Sequence, residues 1–225
     1  MGESSKYDFN IPDKPSGTHG LILSHIEPGS KVLECGCASG YMTKYMNEKL
    51  RCDVDIIEID KECIEKAKQY AFDWFQGDLM NNAWYEYFKH RQYDMIMFAD
   101  VLEHLTDPLT VLSRAVTLLK PDGKVVISIP NICHNDIIIR MFYDDWTYSN
   151  MGLLDNTHVH FWGGRNFTRF ADDAGLKIET FECTTIPTQQ TEQMLPIEIN
   201  PKLLELLKNR LYGEVYQWVF TCVKK

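Results

Sequence analysis

The sequence lacks any run approaching the roughly 18 consecutive apolar residues of a membrane-spanning helix, so no span is expected. Its opening, MGESSKYDFNIPDKP, lacks the basic-then-apolar pattern of a signal peptide, which argues against export. It touches the N-myristoylation pattern only loosely, because Lys6 stands where Ser or Thr is wanted. There is no Cys-x-x-Cys. The seven cysteines, Cys35, Cys37, Cys52, Cys63, Cys133, Cys183 and Cys222, are odd in number, irregularly spaced and mostly in apolar runs. They read as reduced core thiols of a cytoplasmic protein rather than as a disulfide frame or a zinc site. Basic charge is also scarce: 23 Lys and Arg against 32 Asp and Glu give a formal charge of −9. That argues against loose electrostatic binding to nucleic acid or to an anionic membrane. Internal repeats, low-complexity tracts and a Gly-x-Gly-x-x-Gly spacing are all missing.

What is present is 225 residues with 44% apolar content, enough for one domain with a sizeable core. Strand and helix signals alternate. Strands are expected at 31–35, 54–58, 74–76, 95–98 and 123–129, with helices at 41–49, 61–71, 83–89 and 109–119 between them. This predicts an α/β fold with a doubly wound, mainly parallel sheet covered on both faces. An extra amphipathic helix is expected at 18–26. Beyond residue 130 the pattern changes. Residues 131–165 are rich in aromatics, His, Asn and Asp, with weak periodicity, as in a lid or binding loop. A helix at 166–174, strands at 176–183 and 215–223, a polar linker at 184–193 and a helix at 201–211 complete the reading.

The stretch VLECGCASGYMTKYM carries the first functional signal. Gly36 and Gly40 sit where a strand hands over to a helix, so a ligand can lie against the main chain near the helix's free N–H groups. Glu34, just before them, would repel a pyrophosphate but suits a cationic or amine-bearing ligand. Glu58 closes the second strand, where an acid can accept both hydroxyls of a ribose. A nucleoside without phosphate, bearing a sulfonium and an amino acid, matches the set: S-adenosylmethionine.

These residues resemble the class I S-adenosylmethionine-dependent methyltransferases. VLECGCASG is similar to their first motif, IIEIDKECIEKAK to their second and QGDLMN to the segment that reads the adenine. YDMIMFADVLEHLTDPLTVLSRAVTLLKPDGKVVISIPN is similar to their fourth and fifth strands with the helix between, and the resemblance covers about residues 15–185. It implies a single domain over 1–225 with a seven-stranded sheet whose last strand is antiparallel. Residues 15–130 would form the cofactor half, 131–165 a lid inserted after the fifth strand, and 166–225 the last helices and strands. The resemblance also implies that Glu34 meets the cofactor's amine. The backbone from Gly36 through Cys37 to Gly40 would meet its methionine part, and Ala99 would lie beside that part. Glu58, next to Ile59, would take the ribose hydroxyls, and Asp78, beside Leu79, the adenine amino group. Asp60 is the alternative ribose partner, and Asp78 reads also as a helix N-cap. Ala38 departs from the family, which commonly has glycine there.

Asp100, Glu103 and His104 stand at i, i+3 and i+4, on one side of a helical start. With His158 or His160 from the later block they could hold a divalent cation. The ubiquinone-biosynthesis O-methyltransferases and the small-RNA 2′-O-methyltransferases have a similar acidic-x-x-Glu-His segment and a later His before an aromatic. In the second group these residues bind Mg²⁺, and His158 is the better match to that later His. Asp100 replaces the commoner Glu and shortens one ligand arm. Without a metal, His158, His104 or His160 could act as general base, since an ordinary imidazole titrates near pH 6.5. The bland alternative is that the histidines are structural.

SIPNICHNDIIIRMFYDDWTYSNMGLLDNTHVHFW resembles the acceptor region of bacterial methyltransferases found with polysaccharide and glycan biosynthesis. There Trp146, Tyr148 and Trp162 could stack on a sugar, with Asp144, Asp145, Asn131 and Asn156 on its hydroxyls, unless the aromatics form only the lid's own core. The expected reaction is O-methylation of a hydroxyl on a sugar or other small molecule. An RNA ribose or an amine is the alternative acceptor. Two other classes are a dinucleotide-binding oxidoreductase, disfavoured by Glu34 and the Gly-x-x-x-Gly spacing, and a non-catalytic cofactor-binding protein. The chain is expected to be a monomer or homodimer, and the aromatics near 211–218 read either as a dimer surface or as part of a final buried strand.

Overall fold

Strand β1 (Lys31–Cys35) is buried at every position after its first, as a continuous apolar run in a two-sided parallel sheet should be. It lies between β2 (Asp53–Glu58) and β4 (Tyr93–Ala99), both parallel to it. Outward from these lie β3 (Asp73–Gln76) on one side and β5 (Leu119–Pro130) on the other. The last strand, β7 (Val215–Lys224), inserts antiparallel between β5 and β6 (Leu176–Thr185). The sheet order is β3-β2-β1-β4-β5-β7-β6. The expected seven-stranded, doubly wound sheet with one antiparallel strand is therefore the architecture seen in this computed structural model. It describes residues 11–225; the first ten, including Lys6 and most of the opening stretch, lie outside the described residues.

Alternation along the strands splits the core in two. Leu33, Phe98, Ile127 and Phe220 join one apolar cluster; Val32, Val54, Met97 and Val126 join the other, on the opposite face. Helices α1 (Gly17–Ser24), α2 (Tyr41–Glu48), α3 (Lys61–Ala67), α4 (Ala83–Phe88) and α5 (Pro108–Thr117) belong to the regular part. Asp60 and Asp107 cap α3 and α5, their carboxylates accepting from Cys63 N and Thr110 N. α3 is shorter than expected, and α5 stops at Thr117 because Leu119 already belongs to β5. All seven cysteines are free thiols, five of them buried. Among the described residues no helix is long and apolar enough to cross a membrane.

The irregular block holds a helix that its sequence does not announce, α6 (Asn135–Phe142). Its first turn is polar yet wholly buried: His134, Asn135 and Asp136 are each at most 1% exposed. His134 Nδ1 accepts from Asp136 N, and its Nε2 reaches Ile186 O at 2.9 Å. Asn135 donates to Thr188 Oγ1 and Leu207 O and accepts from Arg210 Nη1 at 2.8 Å. Asp136 accepts from Gln189 N, Thr191 N and the Thr191 hydroxyl. These bonds tie the lid to the linker and to the loop after α8 (Pro201–Lys208). Trp162, expected as a candidate sugar platform, instead packs on Phe167 and Phe170 at the start of α7 (Gly164–Asp173), 6% exposed. Among the residues near 211–218, Trp218 is buried with Tyr212 edge-on against it, while Leu211 is exposed.

Candidate active site

The strand order reverses direction between β1 and β4, and the loop after β1 opens at that switch point, where ligands of such sheets bind. Gly36 (φ 76°) and Gly40 (φ 81°) take left-handed backbone. A Cβ on Gly36 would stand 2.7 Å from Val101 Cγ2, and one on Gly40 2.6 Å from Ala67 Cα. The loop is thus pressed between the segment after β4 and helix α3. Ala38 is left-handed too (φ 47°), a conformation that disfavours any residue with a Cβ. Glu58 steadies it: Oε2 accepts from Ala38 N at 2.8 Å and Oε1 from Asp60 N at 2.9 Å. Asp60, the alternative ribose partner, is committed to capping α3.

A cleft of about 440 Å³ runs from this loop past Glu58, Ile59, Gly77, Asp78 and Leu79 to His104. Asp78 Oδ1 accepts from Met80 N at 2.8 Å, and Asn82 rather than Asp78 precedes α4, so Asp78 is no helix cap. Leu79 is buried and its carbonyl accepts from Trp84 Nε1. A slightly larger cleft, about 490 Å³, lies between α2 and α3 and shares only Ser39 and Gly40 with the loop. It has no imidazole, and of its two carboxylates, Asp13 and Glu48, the first pairs with Lys49, so the smaller cleft is the chemical one.

Glu34 lies beneath the loop rather than in the cleft, 1% exposed. Thr43 Oγ1 donates to its Oε2 at 2.6 Å, while its buried Oε1 has no hydrogen-bond partner. Burial pushes its pKa up to about 8, with Thr43 opposing and the Glu58 charge adding to the rise. Cys37 is buried and its thiol pushed well up, chiefly by burial, so it offers the loop backbone and not a thiolate. Ala99 is half-buried at the end of β4, in register with Ser128.

The residues after β4 form a 3₁₀ turn, Leu102–His104. Glu103 is fully buried with neither carboxylate oxygen hydrogen-bonded. Burial, then the Asp100 charge, pushes its pKa well up; its own backbone N–H opposes this, short of a hydrogen bond, and Asp155 adds to it. The lid is tied to this turn, since Val159 N and His160 N both donate to Glu103 O, at 2.8 and 3.1 Å. The result is an edge-to-face pair of His104 and His158, centroids 4.7 Å apart. One ligand atom each from Glu103, His104 and His158 lies within 4.8 Å of the others.

Two residues not singled out in the sequence orient His104. The Thr157 hydroxyl donates to Asp155 Oδ1 at 2.7 Å and lies 3.0 Å from His104 Nδ1. A hydroxyl has one proton. With that proton directed at the Asp155 carboxylate, Nδ1 must be the donor to the hydroxyl oxygen, and Nε2 carries the lone pair of the neutral ring. The Asp-x-Thr spacing, which favours a side-chain turn, was the available signal for this pair.

The other expected residues do not join this cluster. His160 is half-buried, stacks on Trp162 and turns Nε2 toward Thr106 O at 3.4 Å. Asp100, expected as a fourth metal ligand, accepts instead from Ser128 Oγ at 2.6 Å and Gln217 Nε2 at 2.7 Å. Its turn is 3₁₀ and starts from a left-handed Asp100 (φ 54°), so the helical spacing that would have aligned the carboxylates does not apply.

Residues 16–180, well over half of the chain, match the family model described as a methyltransferase domain. The chain belongs to the class I S-adenosylmethionine-dependent methyltransferase family. The methyltransferase is 25% identical over 155 residues to a ubiquinone biosynthesis O-methyltransferase of Aeromonas salmonicida, covering 67% of this chain and 64% of that one. It is 27% identical over 130 residues to a malonyl-[acyl-carrier protein] O-methyltransferase of Anoxybacillus flavithermus, covering 56% and 48%. The chain thus spans about half to two-thirds of the length of these curated relatives. A solved S-adenosylmethionine-dependent methyltransferase from Archaeoglobus fulgidus superposes with TM-score 0.62 at 17% identity, covering 93% and 95% of the two chains. A solved [4+2]-cyclase, SpnF, superposes equally well, TM-score 0.62 at 11% identity over 96% and 85%. At such identities the likeness shows the fold alone, and the chemistry must be argued from the site.

Proposed function

We propose that this methyltransferase moves a methyl group from S-adenosylmethionine to a hydroxyl oxygen of a small polyhydroxylated acceptor, a sugar unit being the class that suits it best. The residues fit the cofactor. Gly36 lines the cleft at the loop, Glu58 and Asp78 line its nucleoside end, and a buried oxygen of Glu34 beneath the loop lacks a partner. When bound, the cofactor supplies an electrophilic methyl on a sulfonium. The chain's tasks are then to hold the acceptor in line and to receive the proton its hydroxyl loses.

The observation that carries this reading is the His104–His158 pair, with His104 lining the cofactor cleft. Nε2 of His104 takes the acceptor's proton. The imidazolium so formed would favour ionised Glu103, and the carboxylate would stabilise the imidazolium in turn. An oxygen acceptor agrees with the two curated relatives, both named O-methyltransferases. A line of rings leads outward from the cluster. His158 meets Phe161 at 6.2 Å, and Phe161 meets Trp146 at 5.9 Å, which is 40% exposed. Trp146 and Tyr148 are therefore the platform for a sugar's apolar face, and the net charge of −9 disfavours an RNA acceptor.

The test is methyl transfer from labelled S-adenosylmethionine to a panel of sugars, catechols and amines. Sugars or catechols should be labelled, and His104→Gln should lower kcat by about a hundredfold or more. Labelling of amines alone would sink the hydroxyl reading.

A second reading has one observation in its favour. Glu103 is a buried carboxylate with two bare oxygens beside two imidazoles, a donor set that could hold a divalent cation. Two nitrogens and one carboxylate suit Mn²⁺, Fe²⁺ or Zn²⁺ better than Mg²⁺. A cation here should copurify with the chain and be lost in Glu103→Gln; full activity after exhaustive chelation would exclude this reading.

A further inference from the structure

The amino-acid end of S-adenosylmethionine is a zwitterion, so a site that grips it needs an anion and a cation or strong donor. Glu34, which the family resemblance assigns to the ammonium, is nearly sealed beneath the loop and already bonded to Thr43. A second carboxylate stands at the switch point. Asp100 ends the sheet at β4, and the Val101 side chain beside it presses on Gly36. Asp100 is half-buried and held left-handed at φ 54°, an unfavourable conformation for a residue with a Cβ that the surroundings must enforce. Ser128 donates to one of its oxygens and Gln217 to the other, which fixes the carboxylate and leaves each oxygen a further lone pair.

The donor comes from α1. Thr18 donates to Gln217, the residue that holds Asp100, and so locks the start of α1 to this carboxylate. The next residue is His19. Its ring packs on Tyr41 with centroids 5.1 Å apart, and its Nε2 lies 3.3 Å from the Tyr41 hydroxyl. Tyr41 directly follows Gly40 and opens α2. The anionic and the donor groups thus stand at the two ends of the Gly36–Gly40 loop. Burial lowers the affinity of His19 for a proton and the nearby Asp100 charge opposes this only in part, so the ring serves as a hydrogen-bond donor rather than as a fixed cation.

We propose that Asp100 holds the ammonium of the cofactor's methionine tail and that His19, with Tyr41, holds its carboxylate. The proposal rests on the cofactor reading above and adds which side chains of this chain grip the tail. Asp100 thereby leaves the metal-ligand role that its spacing suggested.

Isothermal titration calorimetry of the full chain tests it with two probes: S-adenosylhomocysteine, which has the tail, and 5′-methylthioadenosine, which lacks it. Asp100→Asn and His19→Ala should each weaken S-adenosylhomocysteine by about tenfold or more and leave methylthioadenosine within about twofold. Unchanged binding of S-adenosylhomocysteine in both variants would overturn the proposal. So would an equal loss for both probes, or a loss seen in Glu34→Gln and not in Asp100→Asn. If Asp100→Asn does not fold, His19→Gln and Tyr41→Phe report on the carboxylate half with the same two probes. No heat with either probe in the unaltered chain is a separate result: it would remove the cofactor reading itself, and the proposal with it.

Discussion

Residues 31–130 and residues 131–213 both deliver side chains to one cleft, and they are held by different forces. In the first region β1, β2 and β4 are mostly buried runs of Val, Leu, Ile, Met and Phe, broken by Glu34, Asp55 and Glu58, and left-handed backbone occurs at Gly36 and Gly40 and also at Ala38, Arg51 and Asp100. Apolar burial is non-directional, so a neighbouring apolar residue of similar volume serves nearly as well. In the second region the buried set includes Asn131, His134, Asn135, Asp136, Asp155, Thr191 and Gln193. Hydrogen bonds are directional, and a buried group that loses its partner incurs the full desolvation cost. The cofactor half is therefore a general scaffold. The lid is a particular one, shaped by pairs of groups that fit each other and little else.

The largest expected effect tests the scaffold's dependence on backbone shape. Gly40→Val places a branched side chain in left-handed backbone, its Cβ 2.6 Å from Ala67 Cα. It should cost about 3 kcal/mol or more in urea unfolding. Gly175→Ala is the control: φ is 78°, yet nothing lies within 4 Å of the new Cβ, so only the conformational cost of about 1 kcal/mol is expected. Equal losses in the two variants would mean that the close approach to α3 contributes nothing.

Next in size is Asn135→Ala. It strips partners from Arg210, Thr188 and the Leu207 carbonyl, and should cost about 2–4 kcal/mol. Hydrogen exchange should quicken in residues 186–213 more than in β1, β2 and β4. A uniform loss of protection would show that the lid is not tied down separately, and the contrast between the regions would fail.

How much of each region could be read from the sequence follows from the same difference. The strands around Leu33, Ile56 and Met97 were legible because apolar periodicity reports burial directly, and Gly36 and Gly40 because positive φ favours glycine. The helix Asn135–Phe142 was not, since a polar trio at its start reads as solvated loop while each member is buried against a partner some 50 to 75 residues away. Trp162 stayed open between a sugar platform and the lid's own core, because an aromatic in a polar block fits either, and it faces the core. In the site, the grouping of Glu103, His104 and His158 was legible from spacing and resemblance. The divergence of Asp100 was not, because it depends on Ser128 and Gln217, which no local pattern links to it.

A smaller effect concerns the poorly satisfied carboxylate of the scaffold. Glu34 has a pKa near 8 in the folded chain against an ordinary 4.5. Between those values the folded chain keeps a proton that the unfolded chain has lost, so stability should fall as pH rises through this window and level off above it. The slope from this group is at most about 1.4 kcal/mol per pH unit. Glu103 acts in the same direction. Glu34→Gln should flatten part of the decline in urea unfolding series between about pH 5 and pH 8. An unchanged slope would show that Glu34 is ionised in the folded chain, and the contrast with Asp136, which accepts from four groups of Gln189 and Thr191, would lose its point.

The smallest effect on stability has the sharpest spectroscopic sign. Thr157→Val keeps shape and removes the hydroxyl between Asp155 and His104, at a cost of about 1 kcal/mol. In the unaltered chain the Thr157 hydroxyl donates its hydrogen bond to the Asp155 carboxylate, so ring-nitrogen NMR should find neutral His104 protonated at Nδ1. In Thr157→Val that reason is gone, and the ring should shift toward the Nε2-protonated form, while Thr157→Ser should keep the original tautomer. A base that meets the acceptor through Nε2 needs its lone pair there, so the same substitution should lower kcat more than it raises KM. If the unaltered ring already carries its proton on Nε2, the hydroxyl donates to the ring instead. His104 would then lack the lone pair where the cleft requires it, and the proton would have to go to His158.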